Sequence, residues 1–181
     1  ILFDIDLGTD VVVDLGDSIQ LLSMITPGLD LLDSIVWQPS DYLSCRNCEA
    51  PVAFAVDDIT YTATIFLGEN CTATDDISLR VEQSYDIYVP NVFSPNGDNV
   101  NDRVVVHASG GVDRIVYFEI FDRWGEKVYH QKDFAPNDLS YGWSGKFRDK
   151  VMQPGVYVFS LQAQLIDGES VMVSGDITLI R

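Results

Sequence analysis

Basic side chains are scarce in this 181-residue chain and histidines scarcer: 11 Lys and Arg and two His stand against 28 Asp and Glu. The net charge of −17 repels phosphate backbones and argues against nucleic acid as a partner. It suits an extracellular, calcium-rich setting, and equally it serves solubility alone. No apolar run reaches the ~18 residues of a membrane-spanning helix. The opening Ile1-Leu2-Phe3-Asp4-Ile5-Asp6 has no basic segment before a long apolar one, so no secretory leader is read there. A cytosolic, processed or partial chain is the expectation, with a partial one favoured because the sequence starts mid-pattern. Gly-x-Ser-x-Gly, His-Glu-x-x-His and glycine-rich phosphate loops are all missing, so no catalysis is expected. Carboxylate pairs of the kind a glycosidase uses arise by chance in so acidic a chain. His107 and His130 lie in strand-like sequence and read as surface or packing residues.

What charge there is divides unevenly. Residues 1–85 carry a net −13 and residues 86–181 a net −4. With 46% hydrophobic and 11% aromatic residues, the composition is that of a chain with packed cores rather than a disordered one.

Cysteine is limited to Cys45, Cys48 and Cys71, all in the first half. A Cys-x-x-Cys serves redox chemistry or half a zinc site. Zinc lacks a fourth ligand here, and redox pairs usually open a helix, whereas Pro39, Pro51 and β-type sequence flank this one. The expectation is a structural disulfide between Cys71 and one of Cys45 and Cys48, suited to an oxidising compartment.

Helical periodicity is also rare. Short β-rich runs recur between Gly, Pro, Asp and Asn. The first half reads as strands near 11–15, 18–24, 34–38, 59–67 and 77–81, with turns at Gly16-Asp17 and 68–70. Tyr61 to Phe66 alternates as a half-buried strand does. Trp37 ahead of the cysteines fits an immunoglobulin-like sandwich. The second half reads as strands at 102–108, 115–124, 127–130, from 156, 170–173 and 176–181, again a sandwich, with a hairpin bend at Gly125. A polar linker near Glu82 to Tyr85 separates an expected domain at residues 1–83 from one at 86–181. The fold class expected is therefore all-β, two tandem Ig-like antiparallel sandwiches.

The most informative stretch runs Tyr88-Val89-Pro90-Asn91-Val92-Phe93-Ser94-Pro95-Asn96-Gly97-Asp98-Asn99-Val100-Asn101-Asp102. Two prolines remove backbone donors, and Asn-Gly and Asp-Asn favour tight turns, so a strand here breaks into a structured loop. Asn96, Asp98 and Asp102, with the carbonyl of Val100, form a candidate calcium site, because hard cations take several oxygen ligands. The alternative is a cluster of Asx turns closed by its own hydrogen bonds. Further on come Ile120-Phe121-Asp122-Arg123-Trp124-Gly125, Trp143-Ser144-Gly145, Pro154-Gly155-Val156-Tyr157 and Gly175 to Arg181. Phe121, Trp124, Trp143 and Tyr157 read as core or edge-covering aromatics. Arg123 either pairs with an acid such as Asp122 or Asp149 or presents its charge to a partner.

Together these pieces resemble, in the same order, the gliding-motility-associated C-terminal domain, the type B targeting domain of type IX secretion. Its opening reads V-P-N-A-F-S/T-P-N-G-D-G-x-N-D, followed by I-F/Y-N/D-R-W-G, W-D/N-G and P-x-G-x-Y-x-Y. Ser144 is a mild departure. The likeness covers Tyr88 to Arg181 and rests on Pro90, Asn91, Phe93, Pro95, Asn96, Gly97, Asp98, Asn101, Asp102, Arg123, Trp124, Gly125, Trp143, Gly145, Pro154, Gly155 and Tyr157. It implies a folded export signal recognised at the outer membrane by the type IX shuttle barrel, the translocon and a type B-specific barrel partner. It implies no cofactor beyond the calcium already considered. The first half is similar to polycystin-repeat-like or Ig-like modules common in adhesins, and the alternatives to an export signal are a calcium-dependent carbohydrate-binding adhesin module and purely structural stalk domains.

Overall fold

The computed structural model describes residues 3–26, 32–68, 71–83 and 85–181. Every regular element among them is a strand, and none of them forms a helix long and apolar enough to cross a membrane. The chain divides into two compact units, residues 1–84 and 85–181. The expected turn residues 69–70 and linker residue 84 lie outside the described residues.

The first unit holds β1 (Asp4–Asp6), β2 (Val11–Asp14), β3 (Ser18–Gln20), β4 (Met24–Thr26), β5 (Ser34–Gln38), β6 (Val52–Phe54), β7 (Ile59–Leu67) and β8 (Cys71–Glu82). One sheet has the order β2-β8-β7-β5, and the pairs β3-β6 and β1-β4 stand apart from it. In that order β5, β7 and β8 occupy the places of strands C, F and G of an immunoglobulin sandwich, and β3-β6 those of B and E. Alternation dictates the core. Tyr61, Ala63 and Ile65 of β7 are fully buried, with Ile35 and Trp37 of β5 and Ile77 and Leu79 of β8 packed beside them. The Tyr61 hydroxyl donates to Asp41 O at 2.9 Å. Burial, reinforced by the charge of Asp41, pushes its pKa up to about 12.

The disulfide departs from the expectation. Cys45 bonds Cys48, and Cys71 is an exposed free thiol. Sheet order supplies the reason. The Cys45–Cys48 turn hangs from edge strand β5, where Trp37 N donates to Arg46 O (2.8 Å) and Trp37 Nε1 to Cys48 O (2.9 Å). Cys71 opens β8 beyond β7, about 10 Å across the sheet from β5 at ~4.8 Å per strand. A disulfide needs Cα atoms within ~7 Å.

The second unit holds β9 (Ile87–Tyr88), β10 (Val92–Phe93), β11 (His107–Ala108), β12 (Val112–Phe121), β13 (Lys127–Phe134), β14 (Lys146–Phe147), β15 (Lys150–Val151), β16 (Gly155–Leu165) and β17 (Ser170–Leu179). Its main sheet runs β10-β17-β16-β12-β13. Both units thus place an early strand beside the last one, then the penultimate one, then a middle one. Both are Ig-like β-sandwiches. In neither unit is the pairing purely antiparallel: β2 lies parallel to β8, and β10 parallel to β17. The expected strand at 102–108 shrinks to His107–Ala108, because Val104, Val105 and Val106 are all buried. Three successive buried residues belong to a segment passing through the core, not to a half-buried strand. Val104 makes a single bridge to Trp143, each N–H donating to the other's carbonyl.

Candidate functional site

The family-like residues, scattered over the second half of the sequence, gather at one end of the second unit. Pro90 and Asn91 lead into β10, where Asn91 O accepts from Thr178 N (2.7 Å) and Phe93 O from Ile180 N (3.0 Å). Phe93 is buried, with its ring 5.2 Å from that of Trp143. The Tyr157 ring stands 4.9 Å from the same indole, edge-on. Trp143 is buried, and its Nε1 donates to Lys146 O at 3.0 Å. The Tyr157 hydroxyl donates to Gln153 O at 2.8 Å, and burial raises its pKa. Gly145 has φ +71°, and a Cβ there would lie 3.0 Å from Leu179 Cδ1 and 3.1 Å from Pro95 Cγ. Glycine at 145 therefore lets the Trp143 turn close onto Pro95 and the last strand. Pro154 then sets the entry to β16, whose Gly155 pairs Leu179.

The loop from Ser94 to Asp102 is tied by its own side chains. Asp102 Oδ1 accepts from Gly97 N and Oδ2 from Asn99 N, both at 2.8 Å. Asp98 Oδ1 accepts from Val100 N (2.8 Å) and Oδ2 from Asn96 Nδ2 (2.9 Å), while Asn96 Oδ1 accepts from Asp98 N. Asn101 O accepts from Ser94 N at 3.0 Å. The amides around Asp102, Gly97 first, hold its carboxyl below the usual aspartate range. This is the geometry of Asx turns. Each carboxylate oxygen of Asp98 and Asp102 already accepts a hydrogen bond, so a calcium ion at Asn96, Asp98, Val100 and Asp102 would share its ligands with amide donors. Among the described residues no three His, Cys, Asp or Glu side chains converge as a metal site.

The third element is the bend between β12 and β13. Asp122 Oδ1 accepts from the N–H groups of Trp124 and Glu126, both at 2.9 Å, and Asp122 N donates to Glu126 O. Gly125 follows with φ +81°. The carboxylate closes the turn and leaves Arg123 and Trp124 on its crown. Trp124, expected in the core or over an edge, is 86% exposed. Arg123 pairs with neither Asp122 nor Asp149. Its Nη2 instead lies 2.6 Å from where a Cβ of Gly155 would sit, and Gly155 has φ +153°.

Among the hollows at this end are two that share a wall. One, of about 430 Å³, lies between Trp124, Arg123, Lys150, Met152 and Tyr157. The other, of about 210 Å³, lies between Pro95, Arg103, Lys146 and Arg181. Val151 borders both. It belongs to the hairpin β14–β15, which the sequence reading missed. Its two turn residues, Arg148 (φ 48°) and Asp149 (φ 61°), adopt the left-handed conformations of a type I′ turn. Such a turn normally announces itself as Asn-Gly or Asp-Gly, and this one does not.

Residues 87–179 match the family described as CHU_C Type IX secretion signal domain, a little over half of the chain. The chain belongs to this family. No curated protein matches it. Similar solved structures include the N-terminal eight Ig domains of Down Syndrome Cell Adhesion Molecule isoform 1.30.30, at 12% identity and a TM-score of 0.43, over 98% of this chain and 24% of that one. Dpr2 Ig1-Ig2 in complex with DIP-Theta Ig1-Ig3 gives 14% and 0.38, over 98% and 64%. Dimeric latent PorU from Porphyromonas gingivalis gives 14% and 0.34, over 96% and 19%. The chain thus spans under two thirds of each of these, and likenesses at this level carry no argument about function.

Proposed function

We propose that the second unit is a folded signal that directs an attached protein through the type IX machinery across the outer membrane of a Gram-negative gliding bacterium, to the cell surface or the medium. The observation that carries this reading is the match over residues 87–179 to the type IX secretion signal domain. It gains support from the way Phe93, Trp143, Gly145 and Tyr157 pack as neighbours although they come from separate stretches of the sequence. The partners proposed are the shuttle barrel, the translocon and the type B-specific barrel. The first unit, net −13 over residues 1–85, is proposed as an Ig-like spacer in a gliding adhesin. The segment acts by binding and performs no reaction.

The test is to fuse residues 86–181, and in parallel the full chain, to a periplasmic reporter in a type IX-competent host. Surface or medium arrival that a secretion mutant abolishes supports the reading. Periplasmic retention of both folded fusions refutes it.

A further inference from the structure

Among the described residues, basic side chains gather around two hollows at this end of the second unit. Five of the nine Lys and Arg residues after residue 85 line the two hollows: Arg103, Arg123, Lys146, Lys150 and Arg181. Only Asp102 and Asp122 lie among them, and each already accepts two backbone amides. The lining is thus net +3 within a half of the chain that is net −4. Beside the larger hollow stands Trp124, 86% exposed. A large apolar ring left in water beside the Arg123 guanidinium combines two residue types, Trp and Arg, that are enriched at interfaces. Both hollows are concave and share Val151 of the β14–β15 hairpin in their walls, so they take individual side chains from a shaped partner. A flat headgroup layer fits such relief poorly.

We propose that this end of the signal domain is the docking surface for an acidic polypeptide segment of its partner. Carboxylates enter the hollows flanked by Lys146 and Lys150, and an apolar side chain covers Trp124. This deepens the export reading and rests on it for the partner's identity. The charge pattern explains how an acidic chain acquires an acidic partner: a basic end selects the face that docks. Arg123 contributes through its place over Gly155, so it is both part of the fold and part of the surface.

The test uses the full chain and the variants Trp124→Ala, Lys146→Glu and Lys150→Glu. All three side chains are exposed and make no hydrogen bond or ion pair in the structure. Lys132→Glu on β13, an equal charge change away from both hollows, is the control. Melting curves confirm that each variant folds. The first readout is anisotropy of a fluorescein-labelled peptide of alternating Glu and Leu at physiological salt. The three variants lose about tenfold or more in affinity, the loss typical of interface hot spots, and the control matches the parent. The second is export of the reporter fusion, which falls for the three and holds for the control. Folded variants that export like the parent overturn the docking surface while leaving the export reading intact. Failure of the parent fusion to export, with peptide binding still lost in the variants, removes the export reading and keeps the surface. Trp124-dependent binding to phosphatidylglycerol vesicles with no peptide binding overturns the polypeptide partner. Salt-sensitive self-association lost in the same variants overturns it too, in favour of a second copy's acidic first unit.

Discussion

The guanidinium of Arg123 lies over Gly155, with Nη2 2.6 Å from the position a Cβ there would take. The arginine of one motif element and the glycine of another, more than thirty residues later, are therefore a single packing unit. Gly155→Ala forces an L residue to φ +153° and displaces the guanidinium. A loss of about 1–3 kcal/mol is expected for the backbone strain. The clash with the flexible end of Arg123 adds less. In a urea-denaturation double-mutant cycle, Gly155→Ala is expected to cost less in an Arg123→Ala background by a few tenths of a kcal/mol or more. Strict additivity would break the link.

Trp143 and Trp124 are predicted to behave oppositely. Trp143→Ala empties a buried site between Phe93 and Tyr157 and is expected to cost about 3–5 kcal/mol, a large part of a domain's usual stability. Trp124→Ala removes an exposed ring, and its effect on the melting temperature is expected to be small. Acrylamide quenching of the three tryptophans separates them further, since the readily quenched fraction of emission disappears with Trp124 and survives loss of Trp143.

Thiol titration of the native, non-reduced chain is expected to find one reactive cysteine. Cys71 is exposed and free, while Cys45 and Cys48 are joined. Cys71→Ser brings the count to zero without changing stability measurably. Three reactive thiols, or a Cys71-dependent crosslink within the chain, would contradict the pairing.

Acid is expected to loosen the 94–102 loop. The carboxyl of Asp102 is held below its ordinary range, chiefly by the Gly97 amide. Its contribution is therefore complete above the unfolded value of about 4 and is lost as pH falls through the lower folded value. Amide exchange at Gly97 and Asn99, the two donors to that carboxyl, reports the change, and Asp102→Asn produces it at neutral pH. Chelation of calcium is expected to leave these amides and the melting temperature unchanged, because the loop closes on its own hydrogen bonds. A millimolar-calcium stabilisation that Asp98→Asn abolishes would instead make Asp98 a ligand.

Sequence pattern captured what depends on nearest neighbours. β5 and β7 fall at 34–38 and 59–67 as read, because alternating burial along a strand writes itself directly into alternating residue type. The loop after Phe93 was legible because Pro, Asn-Gly and Asp are local devices. What the pattern could not carry was decided across the fold. The sheet order places Cys71 away from Cys45 and Cys48. The core crossing of Val104 to Val106 looks like a strand to a local reading. Trp124 reads as core by residue type, and only the Asp122 carboxylate that closes its turn puts it in water. Arg148-Asp149 carries no glycine to advertise a type I′ bend.

The pairing of β10 with β17 sets an order in time. Val92 and Phe93 meet Thr178 and Leu179 as parallel partners, so the first strand of the main sheet waits for the last. A ribosome that has delivered β10 through β16 has produced a sheet lacking a strand between its edge and its middle, with Phe93 and Trp143 short of the Leu179 contact that Gly145 admits. The unit reaches its finished shape only after residue 179 has emerged. A product cut short of β17 cannot present the assembled end of this domain.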